Sequence, residues 1–187
     1  MNQIVIYADG ACSPNPGLGG YGVVIFYEVN KIKREFAKGF KNTTNNRMEL
    51  LSVIDGLKEV VPTESRITIY TDSQYVCNGI TKGWAKTWRD NKWHRSAAKL
   101  KANRIKNPDL WNELLEICEK YDVQFLWIRG HNENKYNERC DEMAVEARKS
   151  SDLSVDSNYE NQVLLEQYYI EQEPKEKELD LFKLLGD

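Results

Sequence analysis

Two short runs carry the first chemical signal. Ile4-Val5-Ile6-Tyr7-Ala8-Asp9-Gly10 and Ile67-Thr68-Ile69-Tyr70-Thr71-Asp72-Ser73 each end a β-branched, aromatic stretch in an aspartate. Taken singly, Asp9 before glycine reads as a turn residue and Asp72 as a helix cap. On adjacent parallel strands they become two carboxylates at one edge of a sheet, which repel each other unless a cation holds them. Two more acids join the argument by position. An early-helix acid such as Glu49 commonly just favours the helix dipole, but its helix must pack on the sheet that carries Asp9. Asp141 adjoins Cys140, Met143, Ala144 and Ala147, the inward side of a later helix.

A second signal is a shift in composition between Thr81 and Lys106. Nine cations (Lys82, Lys86, Arg89, Lys92, Arg95, Lys99, Lys101, Arg104, Lys106) stand against Asp90, with Trp84, Trp88 and Trp93 interleaved. A charge run is usually a solvated surface, and tryptophans at helical spacing are usually core. Both in one segment favour nucleic acid, because cations meet phosphates while aromatic planes pack on sugars or bases.

The elements that must position these groups follow from periodicity and punctuation. The first run, Tyr21–Tyr27 and Ile32–Phe40 read as a three-strand meander. Thr43-Thr44-Asn45-Asn46 offers helix caps, Leu50, Val53, Ile54, Leu57 and Val61 follow at helical spacing, and Pro62 stops the helix. The second carboxylate strand leads into a short helix over Ser73–Gly79. Asn107-Pro108-Asp109 opens another helix, and Asp122–Ile128 reads as an interior strand, apolar on both faces. The Gly/Pro-rich stretch 11–20 lacks the GxxxxGK[ST] pattern of a phosphate-binding P-loop.

With 187 residues, 41% of them hydrophobic, the chain holds one ordinary domain plus an appendage. No apolar run is long enough to span a membrane, and the first residues begin a strand rather than a signal peptide, so a cytoplasmic location is expected. Four scattered cysteines and two histidines point to reduced thiols rather than a zinc site. Of the net charge of −3, residues 150–187 carry −7, which leaves +4 on residues 1–149: a mildly basic body suited to a polyanion, and an acidic extension.

The motifs YADGACSPNPGLGGYG, TTNNRMELL, TDSQYVCNGI and RGHNENKYNERCDEMA resemble the bacterial type I ribonuclease H family over residues 1–149. The resemblance implies an α/β ribonuclease-H-like fold, with a five-stranded mixed sheet (an antiparallel meander plus two parallel strands) flanked by helices. It implies an endonuclease, acting as a monomer, that cuts the RNA strand of RNA–DNA hybrids and leaves 5′-phosphate and 3′-hydroxyl ends. The catalytic carboxylates fall on Asp9, Glu49, Asp72 and Asp141, holding two Mg²⁺ ions (or Mn²⁺ in their place), with His131 as a proton-moving or product-releasing group. Hard oxygen ligands suit Mg²⁺, and a pair of such ions assists phosphodiester hydrolysis. The backbone of Cys12, with Asn15, Glu49 and Gln74, would meet the RNA strand's 2′-hydroxyls. Thr44, Asn45 and Asn107 would hold a DNA-strand phosphate, and Trp84 and Trp88 would line the DNA channel within a basic protrusion over 81–106. Where the family often carries Arg, two positions before Thr44, this chain has Asn42. A catalytically silent hybrid-binding module would be expected to lack one of the four acids, and none is missing. The basic Trp-bearing insertion and the TTNNRMEL helix argue against a transposase, integrase or Holliday-junction resolvase.

The extension, 150–187, reads as a polar linker over Ser150–Ser157, a short helix over Tyr159–Ile170 and a flexible charged stretch. Its end, Glu178-Leu179-Asp180-Leu181-Phe182, resembles the bacterial sliding-clamp-binding peptide, with Leu179, Leu181 and Phe182 as the contact residues and Glu178 in place of Gln. The same pattern is equally that of a terminal amphipathic segment docking on its own domain.

Overall fold

The computed structural model describes residues 3–95, 103–130 and 134–172. Strands β1 (Gln3–Cys12), β2 (Gly17–Tyr27) and β3 (Ile32–Thr43) form the antiparallel meander. β4 (Arg66–Thr71) lies parallel to β1, and β5 (Val123–Trp127) parallel to β4. A sixth strand, β6 (Leu153–Ser154), corrects the expected count of five: it pairs in parallel with β3, giving the order β5-β4-β1-β2-β3-β6. The outer edge of β3 offers unpaired backbone donors and acceptors, and Leu153 and Ser154 take them opposite Gly39 and Phe40. Two residues are too few to leave a periodic trace in the sequence.

Three other local expectations change. β1 does not turn at Asp9-Gly10 but runs on to Cys12, with Asp9 paired to Gly22. β5 is an edge strand rather than an interior one; only Phe125 in it is buried, and Trp127 is 46% exposed. The cap of the helix after β4 is Ser73, which accepts from Val76 N–H, so Asp72 is free of that duty.

Helix α1 (Asn45–Lys58) starts at the Thr44 cap and buries Leu50, Val53, Ile54 and Leu57 against the sheet. α2 (Gln74–Thr81) and α3 (Trp84–Asp90) follow β4, joined through Gly83 at φ 69°. α4 (Pro108–Lys120) begins with Pro in its first turn, where a missing N–H costs nothing, and buries Trp111 completely. α5 (Lys135–Ala147), capped by the Asn134 side chain, lies on the opposite face of the sheet with Cys140 and Met143 against Val24. The alternation of β1 sorts these partners: Ile4, Ile6, Ala8 and Gly10 are buried, while Val5, Tyr7 and Asp9 lie on the other face.

Two glycines set how near the helices come. A Cβ on Gly10 would stand 2.4 Å from the Met48 carbonyl carbon and 2.5 Å from Glu49 N. On Gly22 it would stand 2.3 Å from the Cys140 carbonyl oxygen. The absence of side chains there brings the backbones of α1 and α5 down beside Asp9.

By packing, one unit runs to Asp156 and includes β6. The second unit starts at Ser157 with α6 (Ser157–Gln172), in agreement with the helix expected there. Among the described residues no helix is long and apolar enough to cross a membrane.

Gly22→Ala is expected to lift α5 from the sheet and to cost about 1–3 kcal/mol, the range for overpacking a filled contact. Urea unfolding checks this; an unchanged midpoint would mean that α5 does not need the close approach.

Candidate active site

Four elements converge on Asp9. It lies within β1, Glu49 is in the second turn of α1, Asp72 follows β4 directly, and Asp141 is in the middle of α5. Gly10 brings Glu49's backbone to β1, and Gly22, the register partner of Asp9, brings that of Cys140, the neighbour of Asp141.

The charges of all four are coupled. Burial first, then the charges of Asp72, Asp141 and Glu49, push the Asp9 carboxyl from its usual 3.8 up to about 8, against one opposing bond from Gly10 N–H at 2.7 Å. Glu49 is pushed up to about 7, chiefly by burial and then by Asp72. Neutral donors hold Glu49 in place: Ser73 Oγ donates to Oε2 at 2.6 Å and Asn45 Nδ2 to Oε1 at 2.9 Å. Asn137 Nδ2 donates to Asp72 Oδ2 at 3.2 Å, and Trp127 Nε1 to the Asp72 carbonyl at 2.9 Å.

Among the described residues no three acidic, His or Cys side chains form a group closed tightly enough to be a ready metal cage. The four acids are a coupled group rather than a finished cage. Their chemistry nonetheless suits a hard cation. All four offer carboxylate oxygens, Asp9 is raised by burial and then by three neighbouring acids, and among the described residues no cationic side chain stands among the main groups acting on it. Among the described residues the buried Asn137 Oδ1 has no hydrogen-bond partner, so an acceptor beside Asp72 is also unspent.

Most of the remaining candidates border this group. Asn15 Oδ1 accepts from Asn45 N at 3.1 Å, tying the β1–β2 connection to the start of α1. Cys12 Sγ donates to Thr43 O, and Gln74 is the exposed first residue of α2. Thr44 caps α1 through its side chain, while buried Asn107 stands at the N-cap position of α4 at φ 60° and turns its side chain to donate to Tyr75 Oη instead. Trp84 is 41% exposed beneath Lys82, whose Nζ lies 5.1 Å from its ring. Trp88 turns inward and meets Trp111 edge-on at 5.6 Å. One cation of this arm is tied down, since Arg89 pairs with Glu119 on α4. His131 lies outside the described residues, as do Leu179, Leu181 and Phe182, but Gly130 is placed so that a Cβ would stand 2.6 Å from Asp72 Oδ2.

Sequence reasoning passed over Ser73 and Asn137. Both left signals: Ser73 is the polar residue at a strand-to-helix junction, and Asn137 precedes Asp141 by one helical turn, hence on the same face.

The RNase H family profile matches residues 1–149. Ribonuclease H of Trichodesmium erythraeum is 50% identical over 159 residues, 84% of this chain and 96% of that protein. Ribonuclease HI of a Synechocystis species is 45% identical over 158 residues, covering 84% and 95%. Among solved structures, LC9-RNase H1, a type 1 enzyme with the type 2 active-site motif, superposes with a TM-score of 0.70 at 30% identity, covering 82% of this chain and 75% of that one. LC11-RNase H1, solved with an RNA/DNA hybrid, shares the fold at 22% identity and a TM-score of 0.56, covering 78% and 96%. The chain therefore belongs to the ribonuclease H family, in its bacterial type I branch.

Asp9 and Glu49 hold protons more tightly folded than unfolded, so the native state binds more protons across the window from their usual values to about 8 and about 7. Stability must fall as pH rises through that window. In chelator, Asp9→Asn is expected to raise the unfolding midpoint little near pH 4. Near pH 8 the gain is roughly 1–3 kcal/mol, the full shift being discounted for relaxation around a buried charge. A gain independent of pH in thermal melts would contradict the assignment.

Proposed function

We propose that this ribonuclease cuts the RNA strand of RNA–DNA hybrids by divalent-cation-assisted hydrolysis, leaving 5′-phosphate and 3′-hydroxyl ends. The observation that carries the reading is the coupled acid group, with Asp9 raised to about 8 by burial and by its three acidic neighbours. Asp9, Glu49, Asp72 and Asp141 would hold two Mg²⁺ ions, with Mn²⁺ as a substitute. Such a pair polarises the phosphate, acidifies the attacking water and relieves charge on the leaving oxygen.

The chain's own groups orient the acids before any substrate arrives. Ser73 and Asn45 occupy one oxygen each of Glu49, Gly10 N–H holds Asp9, and Asn137 holds Asp72. His131 moves a proton at the scissile phosphate or at the departing product. Cys12 through its backbone, with Asn15, Glu49 and Gln74, tests for the 2′-hydroxyl that separates RNA from DNA. Thr44, Asn45 and Asn107 grip a phosphate of the DNA strand where α1 and α4 both begin, and helix starts favour anions. Asn42 adds no charge there, so neutral donors carry the grip. The exposed face of Trp84, with Trp88 behind it, guides the DNA strand beside the arm's lysines.

A labelled hybrid assay tests this. Cleavage is expected with Mg²⁺, is lost with chelator, and falls in Asp9→Asn by more than about 100-fold, the upper range for losing mere outer-sphere support. His131→Ala slows turnover without abolishing it. Cleavage of duplex DNA, or cleavage that survives chelation, would overturn the reading.

The C-terminal peptide is proposed as a sliding-clamp ligand on its resemblance to that motif. Leu181→Ala with Phe182→Ala is expected to abolish binding to a purified clamp and to leave hydrolysis intact. Absence of affinity in the unaltered chain would end that proposal.

A further inference from the structure

Behind the proposed phosphate grip lies a buried ion cluster whose second carboxylate comes from beyond the family-matched residues. Arg47, in the first turn of α1, is 1% exposed. Its Nη1 and Nη2 donate to Asp109 Oδ1 and Oδ2 at 3.0 and 2.8 Å, which joins the first turn of α1 to the first turn of α4. Its Nε and Nη2 donate to Asp156 Oδ2 and Oδ1 at 2.6 and 2.9 Å. Asp156 is 6% exposed and also accepts from Thr43 Oγ1 at 2.9 Å. The family profile ends at residue 149, and Asp156 is brought into place by the pairing of β6 with β3.

We propose that Asp156 is a positioning residue for the DNA-strand phosphate grip, acting through Arg47 and Thr43 on Thr44, Asn45 and Asn107. The inference rests on the grip reading given above. Its physical basis is that the grip is split between two helices with no covalent tie near it. Thr44 and Asn45 begin α1, and Asn107 stands at the N-cap position of α4 two residues before Asp109. A planar guanidinium with both forks filled has one orientation. With Asp156 changed to Asn, one of the two carboxylate oxygens facing Nε and Nη2 becomes an amide NH2, the fork is held less firmly, and the spacing of the two helix starts loosens. Thr43, whose hydroxyl donates to the same Asp156 oxygen as Arg47 Nε, is held less firmly as well, and Thr43 directly precedes Thr44. Asn45 donates to Glu49, so a loosened α1 start also reaches the catalytic group. Small displacements matter here, because a misplacement of about 1 Å from a remote change can cost about 100-fold in rate.

The test uses the full chain and short RNA–DNA hybrids in which one DNA-strand phosphate at a time is replaced by a neutral methylphosphonate. All assays run well below each variant's unfolding midpoint. The unaltered chain is expected to show one position where the neutral linkage lowers kcat/KM about tenfold or more, as for loss of hydrogen bonds to a charged group. In Asp156→Asn, kcat/KM on the unmodified hybrid falls about tenfold and the penalty at that position shrinks to less than about twofold. Asp109→Asn, at the partly exposed end of the cluster, shrinks the same penalty and serves if Asp156→Asn does not fold. Lys58→Ala breaks a surface pair between α1 and α4, Lys58 with Glu113, and leaves the penalty intact. A full-sized penalty in Asp156→Asn, or in Asp109→Asn if that serves, overturns the positioning role alone. Equal shrinkage in Lys58→Ala overturns it too, because general loosening would then suffice. No penalty at any position in the unaltered chain overturns the grip reading, and this inference with it.

Discussion

Repulsion among like charges at a buried place is the constraint around which this molecule is built. A carboxylate taken out of water on a central strand, and then hemmed in by three others, opposes folding at neutral pH, and the Asp9 and Glu49 carboxyls, raised first by burial and then by acidic neighbours, express that opposition. The rest of the sheet-bearing unit must supply enough apolar burial to offset it. The fully buried Ile6, Ile25, Ile54, Ile67, Ile69, Leu114 and Trp111 do so on strands and helices that leave little room for Asp9 to move away.

Proximity of helix backbone to strand backbone converts that tension into geometry. At Gly10 and Gly22 the missing side chains set α1 and α5 against opposite faces of the meander. The acids on them then meet the acid on β1 without needing long side chains. Orientation comes from neutral groups, Ser73, Asn45 and Asn137, which hold carboxylate oxygens without supplying a compensating positive charge.

Legibility in the sequence followed the length of each signal. Strands with sustained β-branched runs, helices with several turns of apolar spacing, and the capping run that contains Thr44 could be read directly, whereas the Asn134 cap reads only as part of a polar loop. The pairing of Asp9 with Asp72 could be read because the pattern repeats, although only Asp72 stands at a strand end. β6 could not, since two residues have no period, and the partnership of Asp156 with Arg47 spans 109 positions with no local trace. β5 misled for a different reason. Valine, phenylalanine, leucine and tryptophan within five residues look interior, yet the strand lies at the edge of the sheet and Trp127 spends its N–H on the Asp72 backbone instead of on the core. The inward turn of Trp88 was equally hidden, because Trp84 and Trp88 share one helix face and only tertiary packing on Trp111 separates them.

The ion pair between Arg89 and Glu119 has a thermodynamic corollary for the basic arm. A cation already neutralised within the protein displaces no condensed counterions when a polyanion arrives. Should that segment meet a polyanion, the ionic-strength dependence of association would be shallower than a tally of its lysines and arginines implies, and Glu119, a residue on a different helix, contributes to the discount.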